Sequence, residues 1–413
     1  MEQEPAPVSP TSDDLKEESV PFHEKDSHGD EKAEANPTEG LINAYGVFQS
    51  YYSVELLKTH SFSQIAWIGS LQSFLLLLVG ALTGRAFDAG FFRGLLLSGS
   101  ILVVLGMMLT SICTQYWQVI LAQGLCVGVG MGCLFVPSVA LLSTYFNTRV
   151  TIATGIAASG SGIGGVFFPI IFHRLEPQIG FPWATRVMAF ISLATLCLPS
   201  ALMRLRVKPA SKRQLIDLSA WKEPAYVLYI LGCFVAFMGT WTPFFYIGIY
   251  ALDLKMTSAD TAFYLLTVIS AGSVFGRLVP NFLAAKYGMF NVLIVSTAIT
   301  GVLAFAFIGA KHLASLIVVA VLYGLSSGAL VSIAPTLVVQ LCPNRALIGT
   351  RMGMAFASIG VGMLIGTPLA GRLFGVYGYT AAFSFSATSA IVGACLLTVS
   401  RGFFCGWKLW VKC

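Results

Sequence analysis

The sequence predicts an all-α polytopic membrane protein built as two parallel six-helix repeats, with a shortened first helix. Three observations lead there: an apolar composition, a regular series of span-length apolar runs, and a duplication between the two halves. Of the 413 residues, 56% are apolar and 11% are charged, and the mean hydropathy is +0.78. A soluble domain carries roughly 25% charged residues and needs them on its surface. The composition therefore excludes a water-soluble enzyme, a disordered scaffold, a collagen and a disulfide-stapled secreted domain.

Taken in order, the chain begins with an acidic segment. Residues 1–40 hold 12 acidic residues against 3 lysines, whereas residues 41–413 hold 7 acidic and 22 basic ones. Residues 1–39, rich in Glu, Pro, Ser and Asp, read as a disordered cytoplasmic tail. No basic stretch followed by an apolar one occurs there, so no cleavable signal peptide is expected. Residues 40–203 read as an N-terminal helical bundle. Its first piece, residues 40–53 (GLINAYGVFQSYYS), would cover only about 20 Å of a roughly 30 Å hydrocarbon core. It is either a short interfacial or re-entrant helix, or the second half of a first span.

Five full spans follow, at 64–84, 94–113, 117–142, 151–172 and 183–203. A basic cytoplasmic linker, 204–223, then separates them from a C-terminal bundle, 224–400. That bundle carries spans at 224–250, 261–282, 289–309, 313–340, 352–371 and 379–400, and residues 401–413 form a cytoplasmic tail. The runs must be helices. They are too long for barrel strands, and only helices satisfy a lone segment's backbone in hydrocarbon.

Charge sets the orientation. With both termini cytoplasmic, 15 of the 22 cations from residue 41 onward fall on that side and 6 on the other, as the positive-inside rule requires. Arg277 belongs to neither side, since it lies within a span.

The halves also repeat. Gly84-Arg85 can be set against Gly276-Arg277 at an offset of 192. Gly124-Leu125 and Pro137 match Gly324-Leu325 and Pro335 at offsets of 200 and 198. The run from Arg149 parallels that from Arg351, and both are rich in glycine: Gly155, Gly160, Gly162, Gly164 and Gly165 in one, Gly353, Gly360, Gly362 and Gly366 in the other. Such residues let helices approach closely and slide. An even number of spans per repeat makes the halves parallel, with a cavity between them.

These residues resemble the major facilitator superfamily. The loop Gly84-Arg85-Ala86-Phe87-Asp88-Ala89-Gly90-Phe91-Phe92-Arg93 is similar to the superfamily signature between spans two and three. GVFQSYY and WTPFFYIGIYA resemble the monocarboxylate-porter branch, especially its fungal members. The resemblance implies a cytoplasmic gate held by Arg85, Asp88, Arg93 and Arg149, with Asp88 accepting from a neighbouring arginine or helix N-terminus. The branch's animal lactate carriers have an Asp four residues before the matching arginine and a lysine on the first span. Here those positions are Ser273 and Asn43, so the familiar proton-coupling pair is absent. No Asp or Glu falls inside any drawn span either, whereas proton coupling ordinarily uses an intramembrane titratable group.

The candidate site centres on Arg277, because a guanidinium within a span needs a cavity, a partner or a ligand. It is either an anchor for a substrate's anion or carbonyl, or a cap on backbone carbonyls. Around it the expected substrate-binding residues are Asn43, Tyr45, Gln123, Tyr246, Asn281 and Tyr323, with Gln72, Trp241, Phe245 and Tyr264 at similar depths. An aromatic at such a place packs more often than it binds, whereas an amide in lipid needs a partner. No phosphate-binding loop, HExxH, GxSxG or His/Cys cluster occurs. We therefore expect no enzyme chemistry, no cofactor, no metal, no ATP and no nucleic acid, and a monomer.

The function expected is that of a secondary transporter moving a small organic molecule by alternating access. The cargo would be an organic acid or a secondary metabolite, with efflux favoured, across the plasma membrane. The alternatives are a non-transporting sensor on the same fold, or a defective product with an incomplete first span.

Overall fold

A segment that crosses hydrocarbon alone satisfies its backbone N–H and C=O groups by forming a helix. The structure, a computed structural model, describes residues 38–145, 150–202, 216–344 and 347–407, and all regular structure among them is helical. The helices are α1 (Thr38–Asn43), α2 (Tyr45–Tyr51), α3 (Phe62–Asp88), α4 (Phe92–Thr110), α5 (Tyr116–Val119), α6 (Gly128–Tyr145) and α7 (Val150–Leu202). After them come α8 (Pro224–Thr240), α9 (Thr242–Asp253), α10 (Ala259–Tyr287), α11 (Met289–Gly309), α12 (Leu313–Leu341) and α13 (Ile348–Cys405). π-helical turns at Tyr52–Leu56 and Ile120–Val127 continue α2 and join α5 to α6.

Among the described residues nine helical stretches are long and apolar enough to cross a membrane. Two of them, within α7 and α13, break at Gly180 (φ 75°, ψ 162°) and Gly378 (φ 76°, ψ −173°). That backbone conformation is essentially restricted to glycine. Divided there, the stretches give the eleven full spans read from the sequence. The chain is thus a multi-pass membrane protein, and its outer helices expose apolar side chains. On α4, Leu97, Ile101, Leu105 and Leu109 form an exposed stripe, as do Val295, Ile299 and Val302 on α11.

The first segment departs from the interfacial or re-entrant reading. From Thr38 to Leu56 it is helical, covering about 28 Å at 1.5 Å per residue. Residues 40–49 are all buried, so it lies inside the bundle and not on the membrane surface. It packs against α7 and α9. Close approach is possible because Gly40 of α1 and Gly164 of α7 meet backbone to backbone, where a Cβ on either would stand 2.7 Å from the other's Cα.

The duplication is visible in the backbone. Helix breaks at Ala44 and Trp241 are 197 residues apart. Left-handed glycines pair at an offset of 198, Gly90 with Gly288 and Gly180 with Gly378. That offset corrects the pairing of Gly84-Arg85 with Gly276-Arg277. Arg85 lies in the last turn of α3, whereas Arg277 stands ten residues before the end of α10, and Asp88 is the position matching Lys286.

Helices before and after residues 203–215 meet along two seams, α3 with α13 and α7 with α10. In the first, Gly353 approaches Ala81 near the Asp88 end, and Ser63 Oγ donates to the Pro368 carbonyl (2.9 Å) near the other. In the second, Gly155 lies against Arg277 and Asn281, and at the far end His173 Nε2 is 3.2 Å from Asp260 Oδ1. The α3–α13 seam is thus in contact towards both of its ends, and the α7–α10 seam at Gly155 and at His173.

The break at Gly378 yields a measurable expectation. Gly378→Ala should destabilise the purified protein by about 1–3 kcal/mol, read as a lower thermal midpoint. Gly375→Ala, three residues earlier in regular helix with open space around it, should leave the midpoint unchanged or raise it.

Candidate functional site

A cavity of about 80 Å³ lies where the first and second halves of the chain meet. Leu76, Leu77, Phe135, Phe237, Phe356 and Met363 make most of its wall apolar. Its polar lining comes from Asn43, Ser73, Trp241 and Arg277, and among the described residues no Asp or Glu lines it. Asn43 and Trp241 stand at the two repeat-related helix breaks, so the backbone irregularities of α1–α2 and α8–α9 both adjoin this space. Interrupted helices around a mid-membrane cavity are a recurrent way of building a transport site.

Arg277 is 2% exposed and engages the first half of the chain. Its Nη1 donates to the Ala158 carbonyl (2.7 Å) and to Ser161 Oγ, both on α7. From the other side, Asn43 Nδ2 donates to the Ser161 carbonyl (2.9 Å). Ser161 is thereby the point where α1, α7 and α10 are tied together. Sequence reasoning did not single it out, since a serine in a run of Ala, Ser and Gly carries no distinguishing signal. Arg277 thus lines the cavity and caps a backbone carbonyl.

Of the seven substrate-binding candidates the structure brings two, Asn43 and Arg277, to the cavity. The other five lie off its lining, and four of those have partners. Tyr45 donates to the Ile65 carbonyl (2.7 Å), and Tyr323 to the Thr240 carbonyl (2.9 Å). Gln123 Oε1, on the π-helical stretch, accepts from Tyr52 (2.6 Å). Asn281 Nδ2 donates to the Arg277 carbonyl and to Ser332 Oγ. Tyr246 is fully buried, with no hydrogen-bond partner for its hydroxyl among the described residues. Of the four residues expected at similar depths, Trp241 lines the cavity, and its indole N–H likewise has no partner among the described residues. Gln72 bonds Met131 Sδ, Phe245 packs on Tyr45, and Tyr264 packs on His173.

At the candidate gate Asp88 is buried in the last turn of α3, while Arg85 and Arg93 are exposed and, among the described residues, form no ion pair. Arg149 lies outside the described residues. A stronger charge cluster sits in the second half at the same end of the bundle. Arg351, at the start of α13, bonds Glu223 with both terminal nitrogens (2.7 and 2.6 Å), and its Nε donates to Asp217 Oδ2 (2.9 Å). The Arg351 carbonyl accepts from Tyr226 (2.6 Å), and the guanidinium lies over that ring. This clamp ties the 3₁₀ turn Leu218–Lys222 to α13. The Ser219 hydroxyl, and after it the Arg351 guanidinium, hold the Asp217 carboxyl below its ordinary value of 3.8. The sequence marked Arg351 as the start of a repeated run and not as a clamp, because its acidic partners are more than a hundred residues away.

The Major Facilitator Superfamily profile matches residues 41–347. The chain is 45% identical to the MFS-type transporter dbaD of Emericella nidulans, over 81% of this chain and 76% of that protein. It is 38% identical to the Aspyridones efflux protein apdF of the same organism, over 83% of this chain and 70% of that protein. Its identity to the Agnestins efflux protein AgnL12 of Paecilomyces divaricatus is 33%, over 88% and 83%.

The clamp sets a test of its own. Arg351→Met would strand buried Asp217 and is expected to cost about 3 kcal/mol of stability, read as a fall in thermal midpoint. A carboxyl whose folded pKa is depressed contributes stability that is complete above its ordinary value and is lost as pH falls through the folded one. Melting of the wild type should therefore fall more steeply below pH 3.8 than melting of Asp217→Asn.

Proposed function

The chain belongs to the Major Facilitator Superfamily, and from that premise we propose that it exports an amphipathic secondary metabolite rich in hydrogen-bond acceptors. It is a secondary transporter and not an enzyme. The observation that carries the cargo class is the cavity: apolar and aromatic walls, an arginine and, among the described residues, an indole N–H without a partner and no acidic side chain. Such a lining favours carbonyl, enolate or carboxylate oxygens on an aromatic body and disfavours cations. Relatives whose names describe export of aspyridones and agnestins fit the same class.

In this reading residues 40–203 and 224–400 are two bundles that rock about the cavity, joined by the basic linker 204–223. A drug-sized ligand needs a pocket of roughly 300–1,000 Å³, far more than the cavity offers here. Opening to either side must therefore separate the α3–α13 and α7–α10 seams at the corresponding end. Arg277 couples the two events. Its guanidinium holds α7 while the cavity is closed, and a ligand oxygen that takes over those donors frees the seam. Asp88, with Arg85, Arg93 and Arg149, would form the cytoplasmic gate, with both termini on the cytoplasmic side of the plasma membrane. We place the chain in the monocarboxylate-porter branch on its first-span and seventh-span residues. The changes to Ser273 and Asn43 argue against lactate as its cargo.

Flux into inside-out vesicles tests this reading, using a panel of aromatic carboxylic acids, phenolic ketones and lactate with and without a pH gradient. Uptake of aromatic members is expected, with Arg277→Gln lowering it about tenfold or more through lost charge-assisted bonds. Strong proton-driven lactate transport, or wild-type flux in Arg277→Gln, would overturn it.

A further inference from the structure

We propose that Gln49 and Tyr246 form a second hydrogen-bonding subsite on the exit side of the cavity, suited to a ligand hydroxyl set beside a carbonyl. The proposal rests on the export reading above and adds a polar contact distinct from Arg277. Gln49 lies on α2 and Tyr246 on α9, and each is 0% exposed. They are 197 residues apart, the offset that relates the helix breaks at Ala44 and Trp241. The two residues are thus equivalent members of the two repeats, and they face one another where the halves meet.

Their chemistry is unsatisfied. The Tyr246 hydroxyl lies beside the Gln49 side chain. Among the described residues, the Gln49 amide nitrogen, its carbonyl oxygen and the Tyr246 hydroxyl all lack partners. One turn earlier on α9, the fully buried Thr242 hydroxyl is also without one. Unpartnered amides and hydroxyls in an apolar bundle are costly, and apolar side chains of similar size would fit. A purely structural contact would be bonded, as Tyr45 and Tyr323 are. Groups kept ready for a ligand need not be.

The same place is where the bundle would open. The Tyr246 ring stacks on Phe374 of α13 (5.0 Å), and its hydroxyl lies against Gly371, beside the Ser63–Pro368 bond that closes the α3–α13 seam. Separating the seam there uncovers the pair. A glutamine amide offers both donors and an acceptor, and a phenol offers one of each. Together they match a ligand that donates and accepts on neighbouring atoms, such as an enol or a phenol ortho to a ketone. A carboxylate, which only accepts, leaves the Gln49 carbonyl unmet.

Binding of 2,4-dihydroxyacetophenone and of 2,4-dimethoxyacetophenone to the full chain in lipid nanodiscs tests the assignment, together with thermal melting. The wild type is expected to prefer the dihydroxy probe by about fivefold, the worth of one net hydrogen bond. Tyr246→Phe and Gln49→Leu should each abolish that preference. Both should keep or raise the thermal midpoint, because each removes a buried unpartnered group. Variants that melt lower and retain the preference would make the pair structural and overturn the subsite alone. A wild type that binds neither probe would overturn the cargo class on which the subsite rests.

Discussion

A guanidinium within a membrane-spanning helix governs much of this structure. Arg277 cannot be solvated by lipid, so something in the protein must meet its donors. The Ala158 carbonyl and Ser161 Oγ do so from α7, and Asn43 holds Ser161 from α1. That arrangement requires α1, α7 and α10 to approach closely, which explains why α7 carries glycine at Gly155, Gly164 and Gly165. The glycine run, the cross-half seam and the position of the cavity are thus consequences of one charged group.

The second organising feature is the duplication, which the backbone preserves better than the side chains do. Breaks at Ala44 and Trp241 and left-handed glycines at Gly90, Gly180, Gly288 and Gly378 recur at offsets of 197 and 198. The chemistry placed on this frame is not symmetric. Ala44 stands opposite Trp241, Gln49 opposite Tyr246, and Asp88 opposite Lys286. An asymmetric lining on a symmetric scaffold lets two bundles rock as equivalents while recognising an unsymmetrical molecule.

Legibility in the sequence followed the range of each interaction. Spans depend on local hydropathy, so all eleven full ones could be drawn from it. The importance of Arg277 was legible too, because a charge within an apolar run is itself anomalous. What surrounds it was not. Tyr45, Gln123, Asn281 and Tyr323 share its polarity and depth, yet their bonds turn them to backbone carbonyls and neighbouring side chains instead of the cavity. The Arg351 clamp joins residues 128 and 134 positions apart, a separation that no window along the chain can read.

By itself, then, the sequence determined that this is a polytopic helical membrane protein with repeated halves, a biased distribution of cations and one intramembrane arginine. Each of these follows from the free energy of placing particular residues in hydrocarbon, which depends on the residue and its near neighbours. Tertiary structure decided that residues 40–53 belong to a buried helix, that Ser161 is the tie point, and which polar groups are bonded and which are left open. Those outcomes depend on which helix faces come together. Between helices in lipid that choice is made by close packing and hydrogen-bond satisfaction, and neither is a property of any single segment.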